Sequence, residues 1–151
     1  MVDGKFLAMR TAVGVIGVLA GLGSIAWSSV PVFFTYLGYA YEFELGHPDP
    51  WSWLPSAIAF DTLLVFEGIL GIVAGRLIFR RSRAAVTAFF IAAGFALVSP
   101  IPGYFFFLSS NADTSFFLLI MLAPAIFFGA IYAAIGGFAL AYVDFRPKAE
   151  T

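Results

Sequence analysis

Residues 54–83 read LPSAIAFDTLLVFEGILGIVAGRLIFRRSR, a long apolar stretch that ends in a cluster of arginines. The apolar part, residues 54–79, exceeds the roughly 20 residues that a helix needs to cross the hydrocarbon of a bilayer. Backbone amides and carbonyls in lipid must be bonded within the protein, and a helix bonds its own. The stretch therefore predicts a transmembrane helix whose last turn meets a charged membrane surface.

Three further apolar runs lie along the chain, at about 11–30, 84–108 and 116–143. Apolar residues make up 62% of the sequence and charged residues only 11%, whereas soluble domains are about 45–50% apolar. Lipid is the solvent that suits this composition. We predict a single transmembrane domain, residues 1–151, that is an all-α integral membrane protein with a four-helix transmembrane bundle.

Lysine and arginine predict the orientation of the bundle. All of them lie at one set of span ends: Lys5, Arg10, Arg76, Arg80, Arg81, Arg83, Arg146 and Lys148. The connections at the opposite ends, about 31–53 and 109–115, contain neither residue type. Because cytoplasmic loops are enriched in Lys and Arg, we expect an up-down-up-down bundle in a cell (plasma or inner) membrane, with both termini cytoplasmic.

Two segments depart from the simple pattern of spans. Residues 31–53 are predicted to form an outer cap, where period-two alternation from Thr35 to Leu45 favours a short extended segment. An aromatic helix in the membrane interface is the alternative.

In the third run, the prolines of SPIPG at residues 99–103 remove amide donors and predict a helix end. The alternative there is a broken helix that lines a cavity. Pro124 predicts a kink in the fourth span.

Glycines are spaced for close helix packing. Gly17 and Gly21 form a GxxxG pair in the first span, and Gly71 and Gly75 form another in the second. Small residues on one face let the backbones of membrane helices approach each other. We predict packing within the bundle, with a dimer or partner interface as the alternative. The fourth span repeats the spacing at Gly129, Ala133 and Gly137.

Two acids, Asp61 and Glu67, lie inside the second span. An aspartate at the centre of a membrane helix costs at least about 2.5–3.5 kcal/mol. At 100° per residue, Asp61 shares the face of the second-span glycines and Glu67 lies at the edge of that face. One interpretation is structural, with neutral carboxyls hydrogen-bonded to a neighbouring helix or a partner subunit. The other is functional, with protonatable groups in an ion pathway.

The sequence gives little support for a catalytic, metal or nucleic-acid-binding site. The chain has no cysteine, which excludes disulfides and thiolate sites. Its single histidine, His47, lies in a proline-rich turn near Glu42, Glu44 and Asp49, a weak signal for a metal. We therefore predict no enzyme, no catalytic residue, no metal and no cofactor. The net charge of −1 and the absence of a basic face argue against nucleic acid as a partner.

The expected function follows from what is present and what is missing. Packing glycines and phenylalanine-rich faces favour a small non-catalytic accessory or assembly subunit of a larger membrane complex, a respiratory or energy-transducing complex being one example. Its partners would be membrane lipid and other integral membrane subunits or copies of itself. The alternative is a small oligomeric proton- or cation-coupled transporter or channel that uses Asp61 and Glu67.

Overall fold

The chain folds into helices, and no strand occurs in the part that the structure describes. The computed structural model describes residues 2–44, 54–110, 117–143 and 145. These residues form α1 (Val2–Glu44), α2 (Leu54–Phe79), α3 (Ala84–Val98), α4 (Pro100–Ser110) and α5 (Ala123–Tyr142), with a π-helical segment, Phe117–Leu122, directly before α5.

Within the described residues, four helical stretches are long and apolar enough to cross a membrane: Leu7–Ala40, Leu54–Phe79, Ala84–Phe105 and Ala123–Tyr142. The third of these combines α3 with the first half of α4. The predicted all-helical chain with four helices suited to spanning a membrane is thus confirmed for this part of the chain. Such a set of helices is that of a multi-pass membrane protein.

Helix α1 is much longer than the predicted first span. It continues through Pro31 and ends at Glu44, so the prediction of an extended segment is wrong for residues 35–44. No residue between 31 and 40 is charged, so the alternation there separates no polar face from an apolar one. A helix satisfies the amides of such a segment internally. Residues 45–53 of the predicted outer cap lie outside the described residues.

The third span consists of two helices, with the break at the serine before the two prolines. After a turn at Ser99, whose amide donates to the carbonyl of Phe95 at 2.9 Å, the chain resumes as α4. The predicted helix end is therefore confirmed at Val98, and a new helix follows directly. Pro100 and Pro102 lie in the first turn of α4, where helical amides have no intrahelical acceptor and proline costs little.

Pro124 lies in the first turn of α5, immediately after the π-helical segment. A proline cannot donate to the carbonyl four residues earlier. A π-helical turn passes that carbonyl on to the next donor, which gives a physical reason for a wider turn at this point.

Contacts between glycines and their neighbours establish how the helices run. On α1, Gly14 lies against the ring of Phe79 at the end of α2, and Gly21 lies against Gly68. Positions therefore ascend along α1 as they descend along α2, so these two helices pack antiparallel. Helices α3 and α5 also pack antiparallel, because Gly136 faces Phe89 and Gly129 faces Leu97.

The largest buried cluster is apolar and joins α2, α3 and α5, with one residue from α1. Its members are Val13, Ala74, Ile78, Ala85, Phe89, Ala92, Ala93, Tyr132, Ile135, Ala139 and Val143. Alanine predominates, so the backbones lie close together. Tyr132 is the exception, since it brings a hydroxyl into this interior.

The described arginines gather at one end of the bundle. A tight turn closes α2 through bonds from the Ser82 amide to Leu77 and from the Arg81 amide to Ile78, both at 3.0 Å. Arg81 has φ of 56°, the left-handed conformation that commonly ends helices. Arg76 and residues 80–83 thus lie beside the start of α1, where Arg10 precedes Gly14 by one turn.

Candidate functional site

Glu67 is fully buried, with an exposed fraction of 0%. The hydroxyl of Ser24, on α1, donates to Glu67 Oε1 at 2.8 Å. This reach is possible because the backbones are close: a Cβ atom at Gly21 would lie only 2.6 Å from the carbonyl oxygen of Gly68. Glu67 Oε2 is also buried and has no hydrogen-bond partner.

Tyr132 brings a third helix to this carboxyl. Its side chain, on α5, is fully buried and fills the space beside Gly71, where a Cβ atom would lie 2.6 Å from the ring. Since Gly71 is one turn beyond Glu67, the phenol hydroxyl lies beside Glu67 and Ser24. That hydroxyl makes no hydrogen bond of good geometry. We refer to Ser24, Glu67 and Tyr132 as the Glu67 cluster.

Asp61 lies in a looser environment between α1 and α2. It is half-buried, and the hydroxyl of Thr35 donates to its Oδ2 at 3.3 Å. That distance is longer than the usual 2.5–3.0 Å between hydroxyl and carboxylate oxygens. Asp61 Oδ1 is buried without a partner. The two acids therefore form separate sites, each with its own α1 hydroxyl.

The relative depth of the acids differs from the prediction. The helical projection placed Asp61 on the packed face and Glu67 at its edge, but Glu67 is the fully buried residue and Asp61 is half-buried. The projection considered one contact face on α2. In the structure, α2 packs against α1 and also against α3 and α4. The side chain of Tyr132, from α5, covers what the projection treated as an edge.

The predicted packing glycines lie between helices of the same chain. A Cβ atom at Gly17 would come 2.6 Å from the ring of Phe89 and 3.2 Å from the Cα of Gly75. A Cβ atom at Gly75 would come 2.7 Å from the carbonyl oxygen of Gly14. Gly21 meets the α2 backbone and Gly71 meets Tyr132, as described above. A side chain at any of these four positions would clash with the neighbouring helix.

The predicted stripe on the fourth span is wrong after its first member. Gly129 packs against Leu97, but Ala133 is exposed and Gly137 has nothing within 4 Å of a Cβ position. Each step of four residues turns a helix 40° beyond a full circle, so a strict spacing of four leaves the packed face. The buried face uses steps of three and four instead, through Tyr132 and Gly136.

Ser24 and Tyr132 were not predicted as partners of Glu67. Ser24 follows the line of Gly17 and Gly21 on α1, which was the available signal for it. Tyr132 lies in the middle of its span, whereas membrane tyrosines favour the two interfaces. A tyrosine at that depth indicates a polar partner inside the bundle.

The chemistry available at the Glu67 cluster is hydrogen bonding and proton binding. The described residues include no group of three or more His, Cys, Asp or Glu side chains that could hold a metal. His47 and Asp49 lie outside the described residues, as does the side chain of Glu42. No protein family, no characterised protein and no solved structure matches this chain.

Proposed function

We propose that this chain is a non-catalytic accessory or assembly subunit of a larger membrane protein complex. The observation that carries the proposal is the use of both membrane acids in bonds between helices. Ser24 donates to Glu67 and Thr35 donates to Asp61, so each carboxyl joins α2 to α1. Acids used in this way support a bundle with a defined internal packing whose remaining surfaces are available to lipid and to other subunits.

The length of α1 supports a protein partner in addition to lipid. Its apolar part, Leu7–Ala40, has 34 residues and is about 51 Å long at 1.5 Å per residue. Even a tilt of about 40°, the upper end of the usual range, leaves about 39 Å along the membrane normal. The hydrocarbon is about 30 Å thick. Exposed aromatic residues such as Phe33 and Tyr36 near one end of α1 suit contact with another subunit.

Purification from native membranes tests the partner. We expect the tagged chain, extracted in a mild detergent, to bring down different membrane proteins, identified by native mass analysis. Replacing Phe33 by Ala should weaken that association. Phe127→Ala is the matched control, because Phe127 on α5 is exposed to a similar extent, 60% against 57% for Phe33. Recovery of the chain only as copies of itself would contradict the proposal.

We further propose an up-down-up-down arrangement in a plasma or inner membrane, with both termini cytoplasmic. The clustering of the described arginines at one end of the bundle supports this orientation, because positive loops remain in the cytoplasm. The chain lacks cysteine, so single cysteines can report on sidedness. Cysteines at Asp49 and Asp113 should react with an impermeant reagent outside intact cells, and one at Ser82 should not. Outside labelling at Ser82 would reverse the orientation.

A second candidate function is an oligomeric proton- or cation-coupled transporter or channel. The unpartnered Oε2 of Glu67, buried beside the Tyr132 hydroxyl, is the observation that favours it. Purified protein in vesicles with a pH gradient separates the two candidates. Proton flux in the wild type that disappears in Glu67→Gln would replace the accessory proposal with this one, whereas equal leak in both supports the accessory role.

A further inference from the structure

If its carboxyl is ionised, the Glu67 cluster has one hydrogen fewer than a closed ring of hydrogen bonds among its three side chains needs. Ser24 has a single hydroxyl hydrogen, and it is already directed to Glu67 Oε1 at 2.8 Å. Glu67 Oε2 and the Tyr132 hydroxyl remain buried without partners. Each unpaired buried polar group destabilises the fold, and a charged one does so more strongly. Ser24 and Tyr132 supply two hydroxyl hydrogens, so a third hydrogen, on the carboxyl, is needed for each of the three side chains to donate once and accept once.

No described positive charge faces Glu67 from the helices around it. On α2, Arg76 is exposed and lies about 13 Å further along the helix axis. On α1, Arg10 precedes Ser24 by about 21 Å of helix. Tyr132 is the titratable group that faces Glu67 from α5, and Asp61, about 9 Å away along α2 in the other direction, carries an acid of its own. A carboxylate here would thus have no counter-charge.

We propose that Ser24, Glu67 and Tyr132 form a buried proton-binding site that joins α1, α2 and α5. The bound proton lies on Glu67 Oε2 and, after small rotations of the Glu67 and Tyr132 side chains, is donated to the Tyr132 oxygen. The Tyr132 hydroxyl in turn donates to the Ser24 oxygen, and Ser24 donates to Glu67 Oε1. In this ring each of the three side chains donates once and accepts once, so no polar atom is left unpaired and no charge is buried.

The site requires Gly71 as well as the three polar residues. Tyr132 reaches the carboxyl only because Gly71 has no side chain: a Cβ atom there would lie 2.7 Å from the phenol oxygen. A proton bound at this site is compatible with either candidate function. It makes Tyr132 the residue that positions the carboxyl proton, through a direct bond from a third helix.

Infrared spectroscopy of the purified protein in lipid at neutral pH tests the proposal. We expect a carbonyl stretch of a protonated carboxylic acid that disappears in Glu67→Gln. In Tyr132→Phe the band should shift in frequency, because its hydrogen-bond acceptor is gone. Tyr142→Phe is the matched control on the same helix, since Tyr142 is 54% exposed, and it should leave the band unchanged.

A measurement on the wild type keeps the test independent of how the variants fold. Protein grown with carbon-13 glutamate should show the band at a lower frequency, and protein grown with carbon-13 aspartate should leave the glutamate band in place. Absence of any protonated glutamate band at neutral pH would overturn the proposal. So would a band that Tyr132→Phe, folded as the wild type, does not move.

Discussion

The two acids of α2 are held by the same pair of helices, yet their surroundings differ. Each accepts a hydrogen bond from a hydroxyl of α1, at 2.8 Å for Glu67 and 3.3 Å for Asp61. Only the Glu67 cluster has a member from a third helix, Tyr132, and only Glu67 is fully buried. Both acids lie on α2 and both bond to α1, so what separates them is the third helix. The comparison teaches that the burial of an intramembrane carboxyl depends on which further helix covers it.

The largest effect should come from forcing apart the backbones that create the deeper site. In Gly21→Ala, the new Cβ atom would meet the Gly68 carbonyl at 2.6 Å and the Ile72 amide at 2.7 Å. Backbone atoms cannot rotate away, so α1 and α2 must separate. We expect a loss of about 3 kcal/mol in the free energy of unfolding, measured by detergent-induced denaturation.

Gly23→Ala is the control for that substitution, two residues along the same helix. Its Cβ atom would meet the ring of Phe128 at 3.6 Å, an ordinary contact, and alanine is the better helix former by about 1 kcal/mol. We expect unchanged or slightly higher stability. Equal destabilisation by both alanines would show that the contact between Gly21 and Gly68 is not what places Glu67 so deeply.

Removal of each carboxyl tests the comparison directly. Glu67→Leu leaves Ser24 and Tyr132 without their shared partner and should cost about 3 kcal/mol of unfolding free energy. Asp61→Leu leaves one hydroxyl, Thr35, in a half-buried setting and should cost about 1 kcal/mol. Denaturation curves of the two variants in the same detergent measure the difference. A larger loss at Asp61 would reverse the ranking that burial predicts.

Replacing the hydroxyl donors, Ser24 and Thr35, should give the same ranking of the two sites with smaller losses of unfolding free energy. Ser24→Ala deprives a fully buried carboxyl of its 2.8 Å bond and should cost about 2 kcal/mol. Thr35→Val keeps the shape of the side chain, breaks only the 3.3 Å bond and should cost about 0.5 kcal/mol. The same denaturation measurement applies. If the two variants are equally stable, the shorter bond does not mark the stronger site.

The smallest effects should come from exchanging each acid for its amide. Glu67→Gln and Asp61→Asn keep the size, an acceptor oxygen and a donor, so a neutral hydrogen-bonded carboxyl is closely imitated. We expect each to change the unfolding free energy by less than about 1 kcal/mol and to leave co-purification with partners intact. A loss in Glu67→Gln as large as that in Glu67→Leu would show that the amide does not imitate the carboxyl, which would contradict a neutral hydrogen-bonded acid at this site.

Much of the fold follows from local properties of the chain. The four spans could be predicted because the length and polarity of a stretch decide whether it can cross lipid, independently of its neighbours. The arginines at residues 76–83 mark the end of α2 for the same reason. Residues 35–44 misled the prediction, because their alternation resembles a strand while lipid favours the helix that bonds its own backbone.

The sequence could not show which neighbouring helix covers each face of α2. Asp61 and Glu67 could be located on α2 by counting residues, but the full burial of Glu67 depends on α5, more than 50 residues away along the chain. Tyr132 joins the site only where Gly71 leaves room for its ring. Hydrophobicity and length act locally and are legible in the sequence. Packing joins distant segments, so only the tertiary structure decides that Glu67 lies where α1, α2 and α5 meet and that Asp61 lies between α1 and α2.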